Sequence, residues 1–385
     1  MTVRKRDGSA LWLSHGRVIS SGVKWALVLL LICWGSGAAR GALTFNLVPA
    51  GGMSQQAIDG FQEAADWWSS LLDDSITVKI DINFTTLGAG ILGSTGSNSE
   101  VYTYSQVAAA LTLDATSADD TSAVANLPVG STLDFRTQDR SGTIELDNET
   151  VGSNATNNTY LDINTANAKA IGLTLSDPSA SDASITFSDA FTWDFDRSNG
   201  ITGGSYDFVG VAAHEIGHAL GFVSGVDTVD IFTEPNGPND TVDLNGGQPG
   251  IGELDPFAIY NTLDLFRYSS ASLLLGADVL DGAYGGTSYF SIDGGATNLA
   301  RFSTGAFNGN GRQASHWLDN QGLGIMDPTA ATGELLNVTT LDLQGFDVIG
   351  WDLAATAIPT PAGLTGGLGL LILCATRRNG RIDRQ

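Results

Sequence analysis

The chain has 385 residues and a formal net charge of −24, with 18 basic and 42 acidic side chains. Residues 42–355 keep only eight of the basic residues but 40 of the acidic ones, a formal charge of −32. That balance argues against nucleic acid as a partner, because phosphate binding needs clustered Lys and Arg; it suits solubility outside the cell and cation binding.

The first 41 residues read as a signal peptide. Arg4, Lys5, Arg6, Arg17 and Lys24 precede an apolar run from Trp25 to Trp34, and small residues follow up to Ala39-Arg40-Gly41. The apolar run is too short to span a bilayer, which predicts export with cleavage before Ala42, or else an uncleaved anchor. Both cysteines, Cys33 and Cys374, lie in apolar end segments. An exported body without cysteine is held by its core, not by disulfides.

Residues 42–206 form the first part of the body. Apolar positions Ala57, Phe61, Ala64, Ala65, Trp68, Leu71 and Leu72 recur at helical spacing over residues 53–73, with Ser54 as N-cap. Alternation from Ile76 to Phe84 predicts a half-buried strand. The Ser-, Thr-, Asn- and Gly-rich stretch from Ser94 to Asn167 predicts a helix over Tyr104–Leu113 and strands over Thr132–Phe135 and Gly142–Leu146, with loops between them. Ile185–Ser188 and Phe191–Phe195 are strand-like. Asp194, Asp196, Ser198 and Gly200 then loosely imitate a calcium loop, but the glycine is out of register and no Glu closes it.

Residues 207–355 carry the chemistry. The segment Tyr206–Ala213 is apolar at helical spacing and runs into His214-Glu215-Ile216-Gly217-His218, with Asp207 a natural N-cap and Gly221 a natural stop. Positions i and i+4 share a helix face, so His214 and His218 can bind one ion while Glu215 reaches toward a water. A zinc hydrolase needs a third protein ligand and an open position. Ser224, Asp227, Glu253 and His316 are the candidates: neutral serine is a poor ligand, and His316 has the best chemistry. The fourth histidine, His15, lies in the signal segment. The intervening residues 222–315 hold a long Asn- and Gly-rich loop from Glu234 to Gly252. Strand-and-turn patterns follow at Thr262–Tyr268 and Ser288–Gly295. Thr339–Ile349 reads as a helix ended by Gly350.

Residues 356–385 close the chain with Pro359-Thr360-Pro361, an apolar stretch over 362–376, and Arg377, Arg378, Arg381 and Arg384. This resembles the PEP-CTERM sorting signal of bacterial exported proteins, with Thr360 replacing the usual central Glu. The resemblance implies transient membrane anchoring and removal by a sorting machinery; a plain C-terminal anchor is the alternative.

His214-Glu215-x-x-His218-x-x-Gly221, together with Met326 in Gly324-Ile325-Met326-Asp327-Pro328, resembles the metzincin metallopeptidases. Ser224 occupies the position where compact members place a third ligand, and His316 precedes Met326 by ten residues. That spacing is similar to the leishmanolysin-like plan, in which an insertion separates the glycine from a third His. The resemblance implies an α+β zinc protease domain with a mixed sheet, an active-site helix, an insertion before the third ligand, and Met326 in a turn beneath the metal. It implies Zn2+ held by His214, His218 and His316, with Glu215 as general base toward a protein or peptide substrate. The competing expectation is a non-catalytic extracellular matrix or surface protein with a structural metal.

Overall fold

The computed structural model describes residues 42–233, 235–238 and 254–355. The expected signal peptide over 1–41, the sorting segment over 356–385, most of the Glu234–Gly252 loop, and Glu253 lie outside the described residues. Among the described residues no helix is long and apolar enough to cross a membrane.

Along the chain run β1 (Thr44–Pro49), α1 (Gln55–Leu71), β2 (Thr77–Phe84), β3 (Gly93–Ser97), β4 (Ser99–Thr103), α2 (Tyr104–Asp114) and α3 (Ala118–Ala125). Next come β5 (Phe135–Gln138), β6 (Ile144–Asp147), α4 (Thr156–Thr159), β7 (Tyr160–Asn164), α5 (Thr165–Ala170), β8 (Ala183–Phe187), β9 (Trp193–Asp194) and β10 (Tyr206–Asp207). Then follow α6 (Phe208–Ala219), α7 (Val226–Phe232), β11 (Arg267–Tyr268), α8 (Ser270–Leu273), β12 (Leu280–Asp281), β13 (Tyr289–Phe290), β14 (Ala300–Arg301) and α9 (Thr340–Val348). The class is mixed α+β, with several small sheets.

The largest sheet has the order β1-β2-β8-β3. Its first three strands are parallel, and β3 joins antiparallel at the edge. Alternation in β2 buries Val78, Ile80 and Ile82, as a strand covered on that face requires. Two helices lie together beside this sheet. Helix α1, capped by Ser54, which accepts from Ala57 N, buries Ala57, Phe61, Ala64, Ala65 and Trp68. Trp68 Nε1 donates to the carbonyl of Ala213 in α6 at 2.8 Å. Phe208 opens α6 and meets Phe61, Phe187 and Phe195 at centroid separations of 5.3, 4.9 and 4.4 Å. Burying each such ring stabilises by roughly 1.5–3 kcal/mol. A Cβ on Gly60 would lie 2.5 Å from the Phe208 ring, so only glycine lets α1 approach α6 here.

Beyond this core the elements are short. The chain forms the sheets β12-β5-β6 and β11-β13-β14 and the pairs β4-β7 and β9-β10. Two expectations are refined by the structure. The strand-and-turn pattern at Thr262–Tyr268 is a 3-10 helix over Thr262–Phe266 followed by two extended residues, Arg267–Tyr268. The Asn261 side chain accepts from Leu263 N, and the Asp264 side chain reaches back to Asn261 N. These local bonds compete successfully with a ladder. The strand expected at Thr132–Phe135 instead spans Phe135–Gln138.

A carboxylate-rich junction joins α3 and α9 to the end of α1. Burial, then Asp352 and Asp114, push Asp74 up to about 8. Burial, then Asp120, with smaller contributions from Asp119 and Asp352, push Asp347 up to about 7. An unfolded aspartate titrates at about 3.9, so the fold binds protons that the unfolded chain has released. The contribution of these groups is complete below that value and is lost as pH rises through their folded values. Unfolded histidines are already mostly neutral above about pH 7. Thermal unfolding should therefore show the melting temperature falling between about pH 7 and 8.5; a flat or rising profile there would contradict it.

Candidate metal centre

Helix α6 is fixed at both ends. At its start the Asp207 carboxylate accepts from Gly210 N at 2.9 Å and from Leu336 N at 3.1 Å, and it pairs with Arg197 at 3.3 Å. At its end Gly221 adopts φ +111°, which favours glycine, and Phe222 N returns to Gly217 O at 3.1 Å. The His218 carbonyl accepts from Asn164 Nδ2 at 3.1 Å and Ser97 Oγ at 3.3 Å.

His214 and His218 stand one turn apart on this helix, and His316 arrives from the loop between β14 and α9. Their three Nε2 atoms form a triangle with sides of 3.2, 3.1 and 3.3 Å. Each Nδ1 faces a backbone carbonyl: Ile325 O at 2.7 Å from His214, Phe222 O at 2.7 Å from His218, and Gln313 O at 3.2 Å from His316. A carbonyl only accepts, so each Nδ1 carries a proton, and in the neutral ring Nε2 is left with a lone pair. Burial, reinforced by His214, holds His218 down to about 3, against the opposing pull of the Phe222 carbonyl. Burial and the two neighbouring rings hold His316 well below the usual histidine range. Converging lone pairs of this kind fit a cation. A tetrahedral ion with bonds of about 2.0–2.1 Å separates its ligands by about 3.3–3.4 Å, close to the observed triangle. Among the described residues this is the group of three or more His, Cys, Asp and Glu side chains that converges to metal-ligand distance.

Glu215 is buried beside the triangle. Thr95 Oγ1, on the edge strand β3, lies 2.6 Å from Glu215 Oε2 and 2.9 Å from its backbone oxygen, with one hydroxyl proton to serve both. Burial pushes the carboxyl up, while His214 and Thr95 pull it down. A Cβ on Gly93 would sit 2.7 Å from Glu215 Oε1 and 2.9 Å from the Phe187 ring, so β3 passes this close only because residue 93 lacks a side chain.

Met326 is fully buried, and a Cβ on Gly217 would meet its Sδ at 2.5 Å. Its turn is tied to the third histidine by Trp317 N donating to Met326 O at 3.0 Å. One carboxylate organises both segments. Asp342 accepts from Trp317 Nε1 at 2.9 Å, Ile325 N at 2.8 Å, Met326 N at 3.2 Å and Thr339 N at 2.7 Å. Gly324, at φ +153°, allows the turn to lie directly against Asp342, where a Cβ would come within 1.9 Å of Oδ2.

The two described competing candidates, Ser224 and Asp227, have other work. Ser224 Oγ donates to Asp264 Oδ1 at 2.6 Å. Asp227 accepts from Ala314 N at 2.6 Å and from Ser315 N at 3.1 Å, and also from Ser315 Oγ, so it clamps the backbone leading into His316. Buried Arg267 supports the same segment by donating to Ala314 O at 3.3 Å and Ser303 O at 2.9 Å. In the calcium-like turn, Asp194 accepts from Asp196 N and Thr202 N, and Asp196 accepts from Ser198 N and Ser198 Oγ. Those carboxylates cap their own turn. Thr95, Gly93, Arg267 and the clamping role of Asp227 carry no sequence motif. Asp342 does carry one, since Thr339-x-x-Asp342 is a capping pattern, but its reach to residues 317 and 325–326 does not show in the sequence.

The three rings and Glu215 face a cleft of about 1220 Å3. Residues 90–95 form one wall, and Val223, Ile231, Phe307 and residues 327–337 contribute elsewhere. No family model, curated protein or solved structure matches this chain.

Asp342→Asn would set an amide N–H2 against backbone donors in a buried site. The expected cost is about 3 kcal/mol of stability, with metal affinity reduced roughly 10- to 100-fold. Urea unfolding and chelator competition measure the two effects. Unchanged metal affinity would show that the loop holds His316 without this carboxylate.

Proposed function

We propose that this protein is a zinc-dependent endopeptidase of metzincin-like architecture. The observation that carries the reading is the convergence of three Nε2 atoms with the Glu215 carboxylate beside them, at the floor of an open cleft. A site built only for stability has no use for an adjacent buried carboxylate, and would close its fourth position. Met326 against Gly217, in a turn bonded to the third ligand's neighbour, supports the metzincin-like arrangement.

His214, His218 and His316 would hold zinc through Nε2, each oriented by its Nδ1–H bond to a carbonyl. When bound, zinc supplies a Lewis acid that acidifies water and polarises a carbonyl oxygen. Thr95 engages Oε2 of Glu215, which leaves Oε1 to take the proton of the attacking water and return it to the departing amine. Burial raises the proton affinity of Glu215 toward what that task requires. Among the described residues strand β3 has a neighbouring strand on one side only, so an extended peptide can add to its other edge along the cleft. Export, an extracellular or surface location, and release from a C-terminal sorting segment complete the proposal and rest on the sequence of the two ends.

Glu215→Gln should keep zinc and fold while lowering turnover by about 10²–10⁴-fold. His316→Ala should lose most bound zinc. Cleavage of a denatured protein, together with metal analysis of the same samples, tests both. A Glu215→Gln variant that cleaves at the parental rate would exclude the mechanism, and a metal-loaded wild type inert toward proteins would favour a structural site.

A further inference from the structure

An oxygen-rich cluster of side chains lies at the end of β6. Asp147, Asn157 and Asn158 are 3%, 1% and 0% exposed, so each is more than nine-tenths buried. Asn157 Nδ2 lies 2.5 Å from Asp147 Oδ2, and Asn158 Nδ2 donates to Leu133 O at 2.9 Å and Asp147 O at 3.2 Å. The donor ends of both amides are therefore used. Their acceptor ends, Asn157 Oδ1 and Asn158 Oδ1, have no hydrogen-bond partner, and neither has Asp147 Oδ1. In Asp147 and Asn157 each free oxygen is joined through a single carbon to the bonded atom, which places both around the one 2.5 Å contact.

The charged groups that act on Asp147 are acidic. The Glu149 carboxyl is in hydrogen-bonding contact with that of Asp147, and the field of Asp255 reaches it too. The nearby cation Arg136 is engaged with Asp281 at 3.0 Å. Two carboxylates in contact need a shared proton or a cation between them. A proton would serve that contact but leave the amide oxygens unsatisfied, at a cost of about 1–3 kcal/mol each. A hard cation bound among these oxygens would serve both the carboxylate contact and the amide acceptors.

We propose that Asp147, Glu149, Asn157 and Asn158 form a calcium site. The donor set is all oxygen, two carboxylates and two carboxamides, which suits Ca2+ with its six to eight flexible ligands and poorly suits zinc, which favours nitrogen and sulfur. Glu149 is exposed and lies at the rim, where an ion enters and water completes the shell. Burial, together with the contact to Glu149, pushes the Asp147 carboxyl up to about 8 in the absence of an ion. The ion would fasten the loop after β6 to its surroundings, since Asn158 O accepts from Leu133 N at 2.8 Å and Asn157 N donates to Asp255 O at 3.1 Å.

Calcium titration of the purified full-length protein by calorimetry, after treatment with a calcium-selective chelator, tests the proposal. The expected result is a binding event with Kd on the order of 10⁻⁴ M, accompanied by a rise in melting temperature. Glu149→Gln, at an exposed position that leaves the fold intact by circular dichroism, should weaken binding at least tenfold, with zinc content unchanged. Absence of calcium binding up to about 5 mM in the parent protein, or parental affinity in E149Q, would overturn it.

Discussion

Three imidazole lone pairs held within 3.3 Å of one another are the constraint around which this molecule is arranged. Without a cation they repel, and burial keeps two of the rings from gaining a proton that would separate them. Such a cluster persists only if the backbone imposes it. Two of the rings come from one turn of a helix capped by Asp207 and closed by Gly221, where the spacing is automatic. The third must be delivered by a loop roughly a hundred residues away, and most of the surrounding hydrogen bonding serves that delivery.

Buried and half-buried aspartates do this work. Asp342, Asp227, Asp264 and Asp230 each accept two or more backbone N–H groups from segments that no strand ladder satisfies. Asp230 receives Phe307 N and Asn308 N at 2.8 and 2.7 Å. A carboxylate offers two oxygens and about four lone-pair directions, so one side chain can pin a whole turn where a neutral residue could pin one group. This gives the excess of acidic over basic residues a structural component: part of it lies inside, bonded to backbone. It also accounts for a cysteine-free body that orders long irregular segments.

The sequence was most informative where structure is local. Helices α1, α2, α6 and α9 have apolar spacing and caps that place them to within two residues at each end, as Ser54, Asp207 and Gly221 illustrate. The His214–His218 pair follows from helix geometry alone. His316 was legible by elimination and by its distance from Met326, and the structure brings its ring to the other two. The remainder depended on contacts distant in sequence. Strand β3, Gly-Ser-Thr-Gly-Ser, has no apolar alternation, because it is an edge strand whose neighbours are Phe187 and Glu215. The strand-and-turn pattern at Thr262–Tyr268 did not show which part would be the turn, because its apolar residues are buried on several sides and burial conceals periodicity. Helix α7 is short, and its Asp227 looked like a stray ligand candidate until its two backbone partners at residues 314 and 315 were in place.

The edge strand joins the structural and chemical arguments. Gly93 allows close approach to Glu215, and Thr95, two residues on and on the same face of β3, donates to it. Ser97, again two residues on, donates to the carbonyl of His218. One face of a five-residue strand thus positions the carboxylate and steadies the turn that carries His218. The free edge of that strand lines the cleft. Under the peptidase reading, a substrate added to that edge would be held in register by the strand that positions the proton acceptor. Substrate alignment and base alignment would then be a single mechanical property of residues 93–97. Small residues suit both requirements, because any larger side chain on the inner face would displace Glu215 before a peptide could bind.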